Sequence, residues 1–318
     1  MDVVPDHRVL VTGGTGMVGA NLVHRLVASG ASVGVLSRPN SSAVRLQFIQ
    51  SRIEMHRADI ADGDSVKAVV KKANPNLVFH LISTPYNVPS LTAETHYRVN
   101  VLGTLNLLEA LRECPGARLV FTGSAAEYGS GSRLCVDHAL HPGTLLGASK
   151  AAAGLLVQTY ARLYGLRTVV LRLFMIYGPW ESPRRLIPHT ILSALAGKDV
   201  PMSQGRQQRD FVYVDDLIDA LLLAGTRPIE PGSVFNIGSG VGTPVRDVVE
   251  WVVRLVGRPV KVLAGAIPTR ADEIMEMSAD TTSAKEVLGW EARTSLQEGL
   301  QRAVEWFSRN REVAMKLP

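Results

Sequence analysis

Thr12-Gly-Gly-Thr-Gly-Met-Val-Gly19 sets glycines at 13, 16 and 19 between a β-branched run and an amphipathic one. A strand, a glycine turn and a helix start, in that order, suit the diphosphate of a dinucleotide. Gly13 permits the tight turn, Gly16 lets backbone approach the pyrophosphate, and Gly19 allows close packing of helix on strand. The first helical turn, with Met17 and Val18, then offers its N–H groups and positive dipole end to the phosphates. Thr12 is the last residue before the loop. The next strand ends in Leu36-Ser37-Arg38-Pro39-Asn40-Ser41-Ser42, with no acidic residue to bond an adenosine ribose 2′-hydroxyl. Ser37 and Arg38 suit a 2′-phosphate instead, the guanidinium binding bidentately and stacking on adenine, which favours NADP over NAD. The alternative is a solvated loop arginine and a pocket open to either cofactor.

Other residues could move a proton. Glu127 follows Ser124 by three residues, and a partly buried glutamate titrates near neutral pH. Lys150 serves as a base where burial beside a cationic cofactor lowers its pKa. Tyr86, in Ser83-Thr-Pro-Tyr-Asn-Val-Pro89, is a candidate phenol donor or a packing tyrosine. His80 reads as a core residue at a strand end, and His138 and His141 are candidates by proximity only. No Cys, His and Ser arrangement argues for a nucleophilic triad, and no HExxH or cysteine cluster argues for a metal.

The elements that must position these groups alternate. Strands are predicted over Arg8–Thr12, Ser32–Leu36, Ile53–Ala58, Asn76–Leu81, Arg118–Thr122 and Thr168–Leu173. Helices are predicted over Met17–Ser29, Ser65–Ala73, Val101–Glu113 and Ala148–Tyr164. This rhythm implies right-handed crossovers and a doubly wound, mostly parallel α/β sheet of Rossmann type. Beyond residue 172 the rhythm breaks. A strand at Val212–Val214, a helix at Asp216–Ala224 and a strand at Phe235–Ile237 precede a final helix, strand and helix. The organisation expected is a cofactor domain of residues 1–172 plus about 210–240, with a smaller interleaved substrate lobe of 173–209 plus 241–318. The 318 residues carry a net charge of +5 with Lys and Arg dispersed, which suits a small anionic ligand and gives no nucleic-acid signature. Cys114 and Cys135 read as free thiols. With no signal core and no apolar run of about 18 residues, a cytoplasmic protein without membrane attachment is expected.

The chain resembles the extended short-chain dehydrogenase/reductase family, the nucleotide-sugar epimerases and dehydratases, over nearly its whole length. The resemblance rests on Gly13/Gly16/Gly19, Asp59-Ile60, Phe79-His80-Leu81-Ile82, Asn100 in VNVLGTLNLLEA and Gly123–Gly129. Gly147-Ala-Ser-Lys150, LRLFMIYGPW (Leu171–Trp180), QQRDFVYVDD (Gln207–Asp216), Phe235–Gly240 and Ser278–Leu300 continue it. It implies that Asp59 and Ile60 flank the adenine. Leu81, Ile82, Ser83 and Phe174 line the cofactor, and Asn100 supports the fourth strand and the active site. It implies a nucleoside-diphosphate sugar as substrate, hydride transfer at a sugar carbon (commonly C4), and a ketone that leads to epimerisation, loss of water or reduction. Ser124 matches the residue that bonds the reacting oxygen, and Lys150 the residue that holds the nicotinamide ribose.

The resemblance also exposes departures. The residue four before the lysine is a catalytic tyrosine in the family and Leu146 here. Glu127, Tyr86, Lys150 or a water must replace it if the chemistry survives. Acid positions used by dehydratases align with Ala125 and Ala126. Met175 stands for an asparagine that touches the sugar diphosphate. Arg209 and Arg270 match diphosphate-binding arginines, or form structural salt bridges, and Arg184 and Arg185 add positive charge beside the cleft. A homodimer through the helices Val101–Glu113 and Ala148–Tyr164 is implied. Two other readings stay open: a cofactor-binding homologue without redox activity, acting as sensor or partner subunit, and an NADPH-dependent reductase of a non-nucleotide substrate.

Overall fold

A computed structural model describes residues 7–85, 90–270 and 273–318. Seven parallel strands form the main sheet: β1 (Arg8–Thr12), β2 (Ser32–Ser37), β3 (Glu54–Arg57), β4 (Leu77–His80), β5 (Arg118–Ser124), β7 (Arg167–Leu173) and β11 (Ser233–Ile237). Their order is β11-β7-β5-β4-β1-β2-β3. Chain order reverses between β1 and β4, where Thr12 lies opposite His80. Ligands of open α/β sheets bind outside the strands' carboxyl ends at such a point.

Strand residues alternate between two apolar layers, as a period of two requires. Val9 and Val11 of β1, Phe79 of β4 and Val120 of β5 pack with α1 (Met17–Ala28) and α7 (Val214–Thr226). Leu10, Val78, Leu119 and Phe121 pack with α2 (Gly63–Ala73), α4 (Gly103–Arg112) and α5 (Leu145–Tyr164).

The smaller lobe has its own core. It is built on α6 (Leu186–Leu195), α8 (Val245–Val256), α9 (Leu296–Arg309) and the strands β8 (Met175–Tyr177), β9 (Val200–Met202), β10 (Gln208–Tyr213), β12 (Gly242–Pro244) and β13 (Val262–Ala264). β10 pairs with β8 in parallel and with β12 antiparallel. A further ladder joins β6 (Gly131–Leu134) to β14 (Met277–Ala279). Thus the strand expected at Val212–Val214 belongs to the small sheet, while α7 and β11, which follow it, return to the large one.

Two helices start earlier than their patterns suggest. α5 begins at Leu145 because the Thr144 hydroxyl accepts the Gly147 N–H at 3.0 Å. This places Leu146 inside the first helical turn. The helix expected at Val101–Glu113 starts as α3 (Ala93–His96) and passes through a π-helical segment, Tyr97–Leu102, into α4. A π turn commonly re-aims side chains at a functional position, and this one carries the buried Asn100.

Candidate active site

The cofactor loop leaves β1 at Thr12. Gly13 has φ +76°, and a Cβ there would lie 2.9 Å from the Ile82 nitrogen. At Gly19 a Cβ would sit 2.2 Å from the Gly13 carbonyl oxygen, so α1 packs on the loop only with glycine. Above Gly16 a Cβ would meet just the Gly13 oxygen, at 3.3 Å, which leaves that face open to a ligand. Gly16 gives no side-chain cap to α1, so the N–H groups of the first turn face outward for an anion. The residues present therefore fit a dinucleotide diphosphate. Thr12 itself lies underneath, fully buried, with its hydroxyl 2.6 Å from His80 Nδ1. Its side chain supports the loop and does not meet the ligand.

At the end of β2, Ser37 is buried and Arg38 exposed. Arg57, opposite Ser37 in the β2–β3 register, donates to Ser37 Oγ at 2.9 Å and to the Arg38 carbonyl at 3.2 Å. Two guanidinium groups thus stand where one was expected. The signal for Arg57 was its place at the end of β3. Asp59 is exposed and accepts the Ala61 N–H, while Ile60 is buried and packs close to Gly103.

Lys150 is buried, with Nζ donating to the carbonyls of Ile82 (3.0 Å) and Thr122 (2.7 Å). It lies 4.7 Å above the Phe121 ring. Burial pulls its pKa down to about 8, with the nearby Glu127 acting in the opposite direction. Lys150 therefore joins the carboxyl ends of β4 and β5. Ser124 ends β5, half-buried, and its Oγ accepts the Ala126 N–H at 3.2 Å. A Cβ on Gly147 would fall 2.3 Å from the Ala126 oxygen, so glycine lets the start of α5 press against the turn after Ser124. Leu146 is half-buried one turn before Lys150, on the same helix face.

Glu127 does not stand ready to replace a phenol. Its side chain is about 1% exposed, and Oε2 pairs with Arg172 Nε at 3.0 Å. Its Oε1 accepts the Ser124 N–H at 2.6 Å. Burial pushes the carboxyl up, against the pull of Arg172 and that N–H. The expectation that Glu127 moves the proton is corrected: it closes a capping box with the half-buried Ser124, and its own carboxylate is turned into the core against Arg172. Tyr128 is structural in the same way, between Arg172 and Asn236. Tyr86 lies outside the described residues. Phe174 is buried with Tyr128, Leu134 and Ala279. Asn100 is buried and bonds Thr84 and Ser149, a supporting place under the site. Leu81 and Ile82 are half-buried, and Ser83 exposed, at the end of β4.

On the substrate side, Arg209 and Arg270 are brought together by one carboxylate. Glu273 Oε1 pairs with Arg209, and Oε2 with Arg270 Nη2 at 2.9 Å. Arg209 also donates to the carbonyls of Gln208 and Ile274. Arg184 is exposed. The Arg185 guanidinium lies 3.7 Å from Met175 Sδ and 3.7 Å from Glu181 Oε1. Glu181 is buried, its Oε2 without a hydrogen-bond partner among the described residues, and burial raises its pKa to about 7. Sequence reasoning missed Glu181, since nothing in YGPWES marks a carboxylate that folds inward.

Above the cofactor loop, Arg45 donates to the Trp180 carbonyl at 2.8 Å and the Thr15 carbonyl at 3.2 Å. Trp180, at φ +66°, stacks on His24 of α1 and meets Trp306 of α9 edge-on. The described residues hold no group of His, Cys, Asp and Glu able to bind a metal. No helix among them is long and apolar enough to cross a membrane.

Comparison with known proteins agrees with this geometry. The model of the NAD dependent epimerase/dehydratase family matches residues 9–238. A UDP-glucose 4-epimerase of Mycolicibacterium smegmatis is 32% identical, covering 94% of this chain and 98% of that one. A dTDP-glucose 4,6-dehydratase of Streptomyces niveus is 30% identical over 96% of this chain and 94% of its own. The crystal structure of a UDP-glucose 4-epimerase from Thermotoga maritima, with UDP-glucose, superposes with a TM-score of 0.88 at 29% identity, covering 95% and 99% of the two chains. The glycine cradle, the buried lysine at the strand ends and the seven-stranded parallel sheet are thus those of an enzyme, and the chain belongs to the NAD-dependent epimerase/dehydratase family.

Proposed function

We propose that the protein acts on a nucleoside-diphosphate sugar, moving a hydride at one sugar carbon, C4 first among them, with Lys150 exchanging the proton that a tyrosine handles elsewhere in the family. The observation that carries this reading is the state of Lys150. Two of its three hydrogens are held by backbone carbonyls, one is left for a ligand, and its pKa of about 8 lets it trade a proton near neutral pH. The backbone of Gly13, Gly16, Met17, Val18 and Gly19 would hold the cofactor diphosphate, and Asp59 and Ile60 would border the adenine. Residues 81–83 would border the nicotinamide. When bound, the nicotinamide supplies the hydride acceptor. Ser124 orients the reacting hydroxyl, and Arg209 and Arg270 take the diphosphate in place of Glu273. Residues 1–172 plus about 210–240 form the cofactor side, and 173–209 plus 241–318 the substrate side. Lys150→Met abolishes substrate-dependent reduction of bound cofactor, and the wild-type rate rises as pH passes through about 8. Turnover unchanged in Lys150→Met refutes the assignment.

The proposed cofactor is NADP before NAD. Arg38 and Arg57 place two guanidinium groups at the end of β2, and residues 36–42 hold no carboxylate. Titration of both cofactors is expected to show NADP bound about tenfold tighter or more, with Arg38→Ala removing most of the difference. Equal or tighter NAD binding sinks this preference.

The proposed assembly is a homodimer. Tyr97, Leu155 and Leu163 are exposed apolar side chains along the π segment and α5. Light scattering should give twice the chain mass, and Leu155→Glu with Leu163→Glu should shift it to one; a monomeric wild type overturns the proposal. Cys114 and Cys135 are unpaired, which suits a reducing cytoplasm. Leu146 and Met175 favour a second reading, a family member that binds cofactor without hydride transfer. Tight cofactor binding with no reduction by any nucleotide sugar would select it.

A further inference from the structure

We infer that His80 is a positioning residue, the hub of a buried hydrogen-bond chain that ties the cofactor loop to the catalytic helix. Five side chains carry it: Thr12, His80, Thr104, Asn100 and Ser149, all buried.

Its polarity follows from counting hydrogens. The Thr104 hydroxyl lies 2.6 Å from the Asn100 carbonyl oxygen, which can only accept, so the one hydroxyl hydrogen of Thr104 is committed there. Thr104 Oγ1 also lies 3.0 Å from His80 Nε2, so Nε2 must donate. The imidazole is neutral: burial, and then the charge of Lys150, pull its pKa down to about 3. A neutral ring that donates from Nε2 must accept at Nδ1. Thr12, at 2.6 Å, is then the donor. The hydrogens run one way, from the end of β1 through the ring to the π segment.

Asn100 carries the chain on. Its Oδ1 accepts the Thr84 N–H at 3.0 Å, and its Nδ2 donates to Thr84 Oγ1 at 3.0 Å and to Ser149 Oγ at 2.8 Å. Ser149 then donates to the Leu146 carbonyl at 3.0 Å. His80 reaches Lys150 by a second route. The Thr122 hydroxyl donates to the His80 carbonyl at 3.2 Å, and the Thr122 carbonyl accepts from Lys150 Nζ. The ring thus braces the foot of the glycine loop against Thr104, whose hydroxyl holds the backbone of Asn100, while the backbone carbonyl of His80 holds Thr122, an acceptor of the buried ammonium. The Nδ1–H tautomer would break the chain at Thr104, because a bare Nε2 would then face a hydroxyl whose one hydrogen is already committed to the Asn100 carbonyl.

The test is made on the whole chain. Long-range nitrogen–proton NMR, with the His80 signals assigned by their loss in His80→Gln, should show the neutral Nε2–H tautomer unchanged from pH 8 to about 5. An Nδ1–H tautomer, or a His80 midpoint inside that range, overturns the inference. This measurement needs no cofactor, so its failure is separate from failure of the cofactor reading. Stopped-flow release of bound nicotinamide cofactor supplies the functional arm. Thr12→Val keeps the shape and loses the hydroxyl, and it should release cofactor about tenfold faster, while Thr12→Ser stays near wild type. Equal release from all three proteins, each folded by its melting curve, also overturns it.

Discussion

Turnover of a nucleoside-diphosphate sugar rises about a hundredfold or more in Leu146→Tyr, the scale expected for a positioned general acid/base. The frame for a phenol is already present. Position 146 stands four residues before Lys150 on α5, one turn away on the same face. The turn is held from both sides: Thr144 caps the Gly147 N–H, and Ser149 donates to the Leu146 carbonyl. Leu146 is only half-buried, so a larger side chain at this place extends toward the cleft without displacing core. The Lys150 charge next to the new hydroxyl lowers its pKa, which is what a phenol needs to work near neutral pH. Leu146→Phe supplies the ring without the hydroxyl and should give no gain. The comparison is made by following sugar-nucleotide conversion with cofactor saturating. No gain in the tyrosine variant, with cofactor still bound, would show that more than the phenol is missing and would favour the reading without hydride transfer.

The second large effect is on stability. Glu127→Ala lowers the unfolding free energy by about 3–5 kcal/mol, because it leaves the Arg172 guanidinium buried without its partner. Both side chains are nearly fully buried, so solvent screening does not soften this loss. The Ser124 N–H also loses its acceptor. Denaturant unfolding provides the measurement, and a loss below about 1 kcal/mol would show that the pair carries no structural load. Replacing both partners, as Glu127→Gln with Arg172→Met, should recover most of the loss, since no unpaired charge remains. Glu127→Gln alone separates the structural role from a catalytic one. A catalytic acid would lose turnover in that variant at unchanged stability, whereas the capping box predicts loss of stability first.

Much of the architecture was legible because it follows from periodicity. Apolar strands buried on both faces and helices with one apolar stripe gave the parallel sheet, and the glycine spacing gave the cofactor loop. Boundaries failed where side chains decide them. The α5 start rests on one hydroxyl cap at Thr144, and the π segment before α4 has no periodic signature. The small sheet was harder still, since β8 and β12 are three residues each and pair across long stretches of chain. In the site, Lys150 and Ser124 lie at the carboxyl ends of β4 and β5. The burial of Glu127 and its pairing with Arg172, 45 residues away, cannot be read from a local segment. Arg45 and His80 matter through contacts distant in sequence, and Glu181 through its burial, none of which residue type alone reveals.

Trp180 joins parts of the molecule that are far apart in the chain. Its indole touches His24 on the first helix of the cofactor side and Trp306 near the C-terminus, and its carbonyl is tied through Arg45 to the cofactor loop. Optically, this makes the protein its own reporter. Any ligand that changes the spacing of the two lobes changes the surroundings of that indole. Tryptophan emission can therefore follow occupancy of the cleft without a label, even for a ligand that is never turned over.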